Sequence, residues 1–190
     1  MMKNKKAFSI IELIMTILIL AVIASASAAF FIPTINLLFY SPSQLMVDQF
    51  SEEIIDILIE GDSKAKGLRF AKSITSADED EITFVNADND TIIYRWDVTE
   101  EKIYRNINAA GEELIPYSYY GGISIKGQAS DAEIFKYYNS TPSQLSAPVG
   151  TETSIESIRI NVVMQSGSGS VKANQGRVEI STGVDIKQFV

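Results

Sequence analysis

Residues 8–32 read FSIIELIMTILILAVIASASAAFFI, and this stretch decides how the rest of the chain is interpreted. Its only charged side chain is Glu12. A helix of this length measures about 37 Å, which is more than the roughly 30 Å of a bilayer's hydrocarbon core. The segment is therefore predicted to span a membrane as a helix. Because a carboxylate at that depth costs at least about 2.5–3.5 kcal/mol, Glu12 is a candidate functional residue.

The charge distribution predicts which side of the membrane each part of the chain occupies. Lys3, Lys5 and Lys6 precede the apolar segment, and positively charged flanks stay in the cytoplasm. The N-terminus is therefore predicted to be cytoplasmic and the C-terminal part extracytoplasmic. The whole chain has 16 basic and 24 acidic residues and a net charge of −8. Nucleic-acid binding is not predicted, because it requires a basic surface.

The chain contains no cysteine and no histidine, which excludes several kinds of site. Disulfides, thiol nucleophiles, haem ligation by Cys or His, zinc sites built from those residues and Ser-His-Asp triads are impossible. Carboxylate, lysine, tyrosine and serine chemistry remain, but the sequence has no motif for any of them. We therefore predict a non-enzymatic protein without a cofactor or a metal.

Two general explanations of the N-terminal segment compete. In the first, the segment is a single-span anchor for an extracytoplasmic domain. In the second, it is a secretory signal peptide that is cut at Ala24-Ser25-Ala26 or Ser27-Ala28-Ala29 and releases an exported binding protein or enzyme. The second explanation is disfavoured by Glu12 near the start of the apolar run and by the apolar residues 30–32 beyond the cut.

A third explanation rests on the pattern Lys5-Lys6-Ala7-Phe8-Ser9-Ile10-Ile11-Glu12. It resembles the leader junction of type IV pilins and type II secretion pseudopilins, which has a basic leader, a small residue, a phenylalanine and a glutamate four residues further on. The resemblance extends to about Ala24. It implies cleavage between Ala7 and Phe8 by a prepilin peptidase, N-methylation of Phe8 and retention of the helix. The family usually has glycine where this chain has Ala7, which is also small.

The resemblance also implies a role for Glu12 in assembly. Cleavage gives Phe8 a positively charged α-amino group. Where the helices of neighbouring subunits pack with a stagger, the Glu12 carboxylate of one subunit can neutralise the Phe8 amine of the next. A paired charge is tolerated in an apolar bundle, whereas an unpaired charge is costly. The alternative is that Glu12 lies close enough to the cytoplasmic surface to contact water.

Two prolines follow the apolar segment and predict interruptions of the helix. Pro33 predicts a kink or local melting over residues 29–33, because proline removes a hydrogen bond and clashes with the preceding turn. Ser41-Pro42 predicts a new helix start with Ser41 as the N-cap. Beyond it, a stripe of apolar residues at helical spacing is predicted to face a sheet, and Gly61 is predicted to stop the helix. The stripe consists of Val47, Phe50, Ile54 and Ile57 or Leu58.

The sequence after Gly61 is typical of short antiparallel strands. Alternating apolar and polar residues predict a meander, further strands and a final pair: Glu81–Val85, Thr91–Asp97, Lys102–Ile107, Tyr117–Ile125, Ile134–Tyr138, Ser157–Met164 and Arg177–Ile186. Residues 139–153 are predicted to form a loop, and residues 165–176 a hairpin loop. The predicted fold class is α+β, with a long N-terminal helix packed on an antiparallel sheet, which agrees with the pilin-like fold that the resemblance implies.

These predictions divide the chain into four parts. They are a leader (1–7), a transmembrane and assembly helix (8–32), a continuation of that helix (33–60) and a β-rich head (61–190). The resemblance implies a structural subunit of a type IV pilus or a type II secretion pseudopilus, made in the inner membrane and then assembled. Its implied partners are other pilin or pseudopilin subunits, the prepilin peptidase and methyltransferase, and the assembly platform. The head is most similar to minor pilins of the PilW or pseudopilin J kind.

The head offers weaker candidates for sites. The acidic runs Asp78–Glu81 and Asp88–Asp90 could supply calcium ligands, but neither has the EF-hand pattern, and solvated turns explain them better. Asp131 and Glu133 could form a carboxylate pair for glycoside chemistry, without any other catalytic signal. Gly167–Ser170 lacks the Lys-Ser/Thr ending of a phosphate-binding loop.

A set of tyrosines is the remaining candidate in the head. Such residues could form an exposed patch that binds a partner, or they could lie half-buried on a sheet. The set consists of Tyr117, Tyr119, Tyr120, Tyr137 and Tyr138.

Overall fold

A computed structural model gives the architecture of the chain and describes residues 9–116, 122–127, 133–141, 143–149, 154–166 and 176–186. One long helix, α1 (Ile10–Ile59), leads into a head that contains two antiparallel sheets and a short 3-10 turn at Leu68–Phe70. The predicted α+β fold, a long N-terminal helix with an antiparallel β-sheet head, is thereby confirmed.

The first sheet is a meander in which each strand pairs with the next along the chain. Its strands are β1 (Ala71–Ala77), β2 (Glu81–Asn86), β3 (Thr91–Asp97), β4 (Lys102–Ile107) and β5 (Glu112–Ile115). The sequence predicts β2, β3 and β4, and the structure confirms them. It does not predict β1, because register shifts place the buried residues Ala71, Ile74 and Ala77 at every third position rather than every second.

The second sheet has the strand order β10–β9–β7–β8, and β6 also pairs with β9. Its strands are β6 (Ile123–Lys126), β7 (Phe135–Tyr138), β8 (Gln144–Leu145), β9 (Ser157–Ser166) and β10 (Arg177–Asp185). The predicted final pair is confirmed as β9 and β10, which run antiparallel. The predicted loop at 139–153 contains the two-residue strand β8, and residues 117–121 of the predicted strand Tyr117–Ile125 lie outside the described residues.

The predicted local melting over residues 29–33 and the predicted new helix start at Ser41-Pro42 are wrong. The backbone is helical from Ile10 through Ile59, so Ser41 is not an N-cap. An interior proline costs about 3 kcal/mol because it removes a hydrogen bond and clashes with the preceding turn. That local cost does not end the helix, because the residues beyond Pro42 are anchored by packing against the head. Next to the first proline, the Thr34 hydroxyl adds a hydrogen bond to the Phe30 carbonyl at 2.9 Å.

The last turns of α1 pack into the core of the head. Val47, Phe50, Ile54 and Leu58 are buried, which confirms the stripe predicted from the sequence. The same core contains the inward-facing rows of both sheets. Burial of one such side chain contributes roughly 1.5–3 kcal/mol, so this stripe is the main attachment of the helix to the head.

The helix ends where Gly61 predicts. Gly61 has a φ of 91°, and a Cβ at this position would lie 2.2 Å from a backbone oxygen. A Cβ at Gly67 would lie 2.6 Å from the backbone of the last helical turn. The chain can therefore fold back over the helix end only with glycine at both positions. The Tyr94 hydroxyl donates to the Ile57 carbonyl at 3.1 Å, which satisfies an acceptor that the helix end leaves unpaired.

Two hydrogen bonds from aromatic side chains join the sheets. Trp96 Nε1 donates to the Ile125 carbonyl at 3.0 Å, and the Tyr137 hydroxyl donates to the Asp78 carbonyl at 2.7 Å. Both aromatic side chains are buried, so their polar groups need these partners. The head is thus held together by one apolar core and by polar contacts that cross it.

Candidate functional site on the N-terminal helix

The N-terminal half of α1 is an exposed apolar surface. Residues Ile10–Ile35 have a mean hydropathy of 2.5 and form a helix long and apolar enough to cross a membrane. Leu18 is 58% exposed and Phe30 is 70% exposed, whereas Phe50 in the head is 1% exposed. The segment is therefore not a core helix of the head. An apolar surface of this length requires lipid or other apolar helices to cover it.

Glu12 lies in the first turn of this surface, and its carboxylate accepts a hydrogen bond there. Glu12 Oε2 accepts from the backbone N–H of Ser9 at 3.2 Å, and Ser9 Oγ accepts from the backbone N–H of Ile11 at 3.4 Å. The two residues form a capping box, which satisfies donors at the helix start. Sequence reasoning missed this cap, although the Ser-x-x-Glu spacing of residues 9–12 signals it.

The cap does not neutralise the Glu12 charge. The Ser9 N–H is a neutral donor, and the positive end of a helix dipole is equivalent to only about half an elementary charge. The sequence has no lysine or arginine between Lys6 and Lys64. Full neutralisation of Glu12 within the apolar region must therefore come from another molecule or from a charge at the N-terminal end of the helix.

The predicted processing residues Ala7 and Phe8 lie outside the described residues. The described chain begins at Ser9, which directly follows Phe8 in the sequence. Cleavage between Ala7 and Phe8 and methylation of Phe8 therefore stay predictions.

The Asp88–Asp90 run forms the turn between β2 and β3, and its carboxylates contact groups within the chain. The Asn86 side-chain oxygen accepts from the backbone N–H groups of Asp88 and Asp90, both at 2.9 Å. The Asp88 carboxylate pairs with Lys66 at 2.9 Å, and the Asp90 carboxylate accepts from the Asn108 amide at 2.7 Å. The arrangement is that of a turn stabilised by an asparagine side chain.

The Asp78–Glu81 run forms the turn between β1 and β2. The Asp78 carboxylate accepts from the Glu79 N–H at 2.8 Å, and the Asp78 N–H donates to the Glu81 carbonyl at 2.8 Å. Burial, and next the neighbouring Asp80 carboxylate, raises the pKa of Glu81. Within the described ranges, no three acidic side chains converge into a group that could hold a metal ion.

The structure separates the predicted tyrosine set. Tyr137 is fully buried, so it cannot belong to an exposed patch. Tyr138 is half-buried, and the Arg159 guanidinium lies 5.2 Å from the centre of its ring. The other candidates lie outside the described residues. They are Tyr117, Tyr119 and Tyr120, the Gly167–Ser170 stretch, and Asp131, the predicted partner of Glu133.

A buried ionic cluster that the sequence did not signal lies where the helix end meets the first sheet. Arg105 on β4 is fully buried, and its guanidinium contacts Asp62 at 2.8 Å and Glu113 at 2.7 Å. Burial alone would lower the pKa of Arg105, but the two carboxylates raise it above its usual value. Partial burial would raise the pKa of Asp62 and of Glu113, but hydrogen bonds, including those from Arg105, hold both below their usual values. The cluster ties the segment after α1 to β4 and β5.

Comparison with known protein families assigns the N-terminal segment. Residues 2–28 match the family model described as the prokaryotic N-terminal methylation motif. This match includes Ala7, Phe8 and Glu12, and it confirms the resemblance that the leader pattern indicates. Comparisons with curated proteins and with solved structures find no match. The chain therefore carries, at residues 2–28, the prepilin signal of type IV pilins and pseudopilins.

Proposed function

We propose that this protein is a structural subunit of a type IV pilus or a type II secretion pseudopilus. The observation that carries the proposal is the methylation motif at residues 2–28, combined with an apolar helix over Ile10–Ile35 that no other described part of the chain covers. A prepilin signal indicates a protein that is processed by a prepilin peptidase and assembled with other pilin or pseudopilin subunits. Such an assembly requires a helix whose apolar surface is available to other subunits, as the surface of Ile10–Ile35 is among the described residues.

The proposed mechanism is mechanical rather than chemical. The helix holds the subunit in the inner membrane, with Lys3, Lys5 and Lys6 in the cytoplasm and the head outside. The assembly platform then transfers the helix into a bundle, where helices of other subunits replace lipid around side chains such as Leu18 and Phe30. A helix suits both surroundings, because its backbone hydrogen bonds are internal in each.

We also propose that the subunit is a minor one, of the PilW or pseudopilin J kind. Its support is the size of the head, which contains two sheets rather than a single meander. The test is the abundance of the subunit in purified filaments. We expect it to make up a small fraction of the filament protein by quantitative mass spectrometry, and a share that exceeds that of every other subunit would contradict this proposal.

The mature protein is expected to begin with N-methyl-phenylalanine at Phe8. Mass spectrometry of the N-terminal peptide, after purification from membranes or filaments, measures this directly. As a control, Ala7→Gly is expected to give the same mature N-terminus, because both residues are small. A start near Ser27 or Phe30 would indicate a cleaved signal peptide and an exported protein, and a retained leader on an intact span would indicate a single-span anchor.

A further inference from the structure

We propose that β10 of the head accepts an extended segment of a different protein, which adds to the second sheet as a further strand. The segment has apolar side chains at alternate positions. Extended segments bind in this way where the edge of a sheet leaves backbone groups unpaired. The inference goes beyond the proposed function, because it gives the head a partner that is not assembled through α1.

The edge formed by β10 is both long and regular. At its other end the second sheet finishes with the two-residue strand β8, and the first sheet finishes with the four-residue strand β5. The remaining edge, β1, has two register shifts. Short and irregular edges protect sheets from unwanted pairing. β10 instead pairs with β9 over nine residues without a shift, so among the described strands it is the edge best suited to accept another strand.

Hydrogen bonds at the two ends of β10 show which of its backbone groups point away from β9. The Ser166 N–H donates to the Gly176 carbonyl at 2.9 Å, and the Ile186 N–H donates to the Glu156 carbonyl at 2.7 Å. Hydrogen-bonded pairs alternate with other pairs along an antiparallel ladder, so the even-numbered residues of β10 bond to β9. The backbone groups of the odd-numbered residues therefore point to the open side. These residues are Arg177, Glu179, Ser181, Gly183 and Asp185.

The first of these outward positions is already filled from within the chain. The side-chain oxygen of Gln44 on α1 accepts from the Arg177 N–H at 3.1 Å, and the Gln44 amide donates to the Arg177 carbonyl at 3.4 Å. Further along, Ser181 and Gly183 are exposed, and among the described residues no backbone group bonds to them on this side. Because Gly183 has no side chain, its exposure is that of the backbone itself.

The inward side chains of β10 favour an apolar partner. Val178 and Ile180 point towards the core of the head and are only half-buried. A strand that pairs with β10 places its own inward side chains next to these two and completes their burial. Since inward positions recur at every second residue of a strand, the segment needs apolar residues in alternation.

A cleft of about 630 Å³ lies beside the end of this edge. Gly183–Asp185 line one part of it, and Phe70, which is 39% exposed, lines another. The two cations that line the cleft, Arg69 and Lys72, already have side-chain partners within the head. Ligand pockets typically measure about 300–1,000 Å³ and are mostly apolar. An apolar side chain of the added segment therefore enters the cleft and contacts Phe70.

The direction of β10 argues against a second copy of the chain as the occupant. β10 begins beside Gln44 on α1 and ends near Leu68–Phe70, beyond the end of α1, so strand and helix run in the same general direction. A two-fold contact between copies would pair β10 with itself antiparallel and would point the two α1 helices in opposite directions. Subunits that α1 holds in one membrane cannot meet in this way.

Peptide selection and amide exchange test the inference on the full-length protein in lipid nanodiscs. A phage library of random ten-residue peptides is selected against the protein, and the most enriched peptide is synthesised for the measurements that follow. We expect the enriched peptides to have apolar residues at alternate positions. We expect the synthetic peptide to slow amide exchange at Ser181 and Gly183, resolved to single residues by mass spectrometry. Selection of no peptide, or protection elsewhere in the head, would overturn the inference.

Gly183→Pro is expected to weaken binding of the synthetic peptide by at least about tenfold, because proline removes an outward N–H but no bond to β9. Gly183→Ala is the matched control, since it keeps the N–H and its Cβ would lie 3.9 Å from the nearest atom, the Ile158 carbonyl oxygen. Asp185→Pro and Asp185→Ala repeat the comparison at the next outward N–H. The fluorescence of Trp96 verifies that each variant is folded. Equal binding by the proline and alanine variants would contradict strand addition.

The remaining outcomes identify other occupants of the edge. If the Ser181 and Gly183 amides are protected in the free protein, a segment of the chain itself covers the edge. If Gly183→Pro changes the oligomeric state of the free protein, a second copy covers it. Either result overturns the inference. None of these measurements depends on leader cleavage or on filament assembly, so their failure leaves the proposed function standing, whereas a mature N-terminus other than Phe8 would contradict the proposed function alone.

Discussion

Glu12→Gln is expected to leave the protein in the membrane but to reduce its incorporation into filaments by at least about tenfold. Glutamine has the size of glutamate and keeps an oxygen that can accept the Ser9 N–H bond now made by Glu12 at 3.2 Å. The substitution therefore preserves the capping box and removes only the charge. It therefore separates the role of Glu12 as a helix cap, which the structure shows, from its predicted role as a charge in assembly.

The size of the effect follows from the cost of an unpaired charge. At least about 2.5–3.5 kcal/mol is needed to hold a carboxylate at membrane depth, and each 1.4 kcal/mol corresponds to about a tenfold change in an equilibrium. In the proposed assembly, the Phe8 amine of a neighbouring subunit removes this cost, and that amine forms only when the leader is cleaved. On this proposal, pairing favours the assembled register and makes assembly depend on processing.

Membrane and sheared-filament fractions, each quantified by immunoblotting, provide the measurement. The matched control is Thr16→Val in the next helical turn, which removes the Thr16 hydroxyl bond to the Glu12 carbonyl at 2.7 Å without changing any charge. We expect this variant to assemble normally. If Glu12→Gln also assembles normally while Glu12→Leu does not, the cap rather than the charge is what Glu12 contributes.

Features set by local composition were predictable from the sequence. The apolar run that contains Leu18 and the stripe of Phe50 and Ile54 are local patterns, so both were recognised as helix. Strands β2 to β4 alternate regularly and were placed correctly. Glu12 was recognised because a single charge in an apolar run is anomalous regardless of the fold.

Features that depend on distant parts of the chain were not predictable. Pro42 predicts a break in the helix, but the packing that holds the turns from Val47 onwards against the head is not visible in the neighbouring sequence. Arg105 was not recognised as a buried residue, because its burial depends on Asp62 after the helix and on Glu113 in the next strand. An arginine in an alternating strand gives no signal of which partners will surround it.

Arg105→Met is expected to lower the free energy of unfolding of the head by about 2–4 kcal/mol. Removing one partner of a buried ion pair typically costs about 3–5 kcal/mol, because the remaining charge is left uncompensated. The lower range applies here, since the Asp62 and Glu113 side chains are 22% and 25% exposed and water can partly solvate them. Urea denaturation of the full-length protein in detergent, followed by the fluorescence of Trp96, the single tryptophan, measures the change.

Arg95→Met is the matched control, because Arg95 also binds two carboxylates in the same sheet. It contacts Glu112 at 2.7 Å and Asp97 at 3.1 Å, but its side chain is 30% exposed on the outer face. Exposed pairs contribute about 0–1 kcal/mol, so this substitution is expected to cost under about 1 kcal/mol. If the two variants lose the same free energy of unfolding, burial of Arg105 does not strengthen its ion pairs.

The loss of stability caused by Arg105→Met is also expected to shrink at low pH, which a loss of packing alone would not produce. The pKa values of Asp62 and Glu113 are lowered in the folded state. A lowered pKa contributes stability that is present above the pKa of the unfolded chain and is lost as the pH falls through the folded value. The difference between wild type and variant should therefore be constant from about pH 5 to 7 and should shrink below about pH 4. A difference that stays the same at low pH would mean that Arg105 stabilises the head by filling space, and not by its charge.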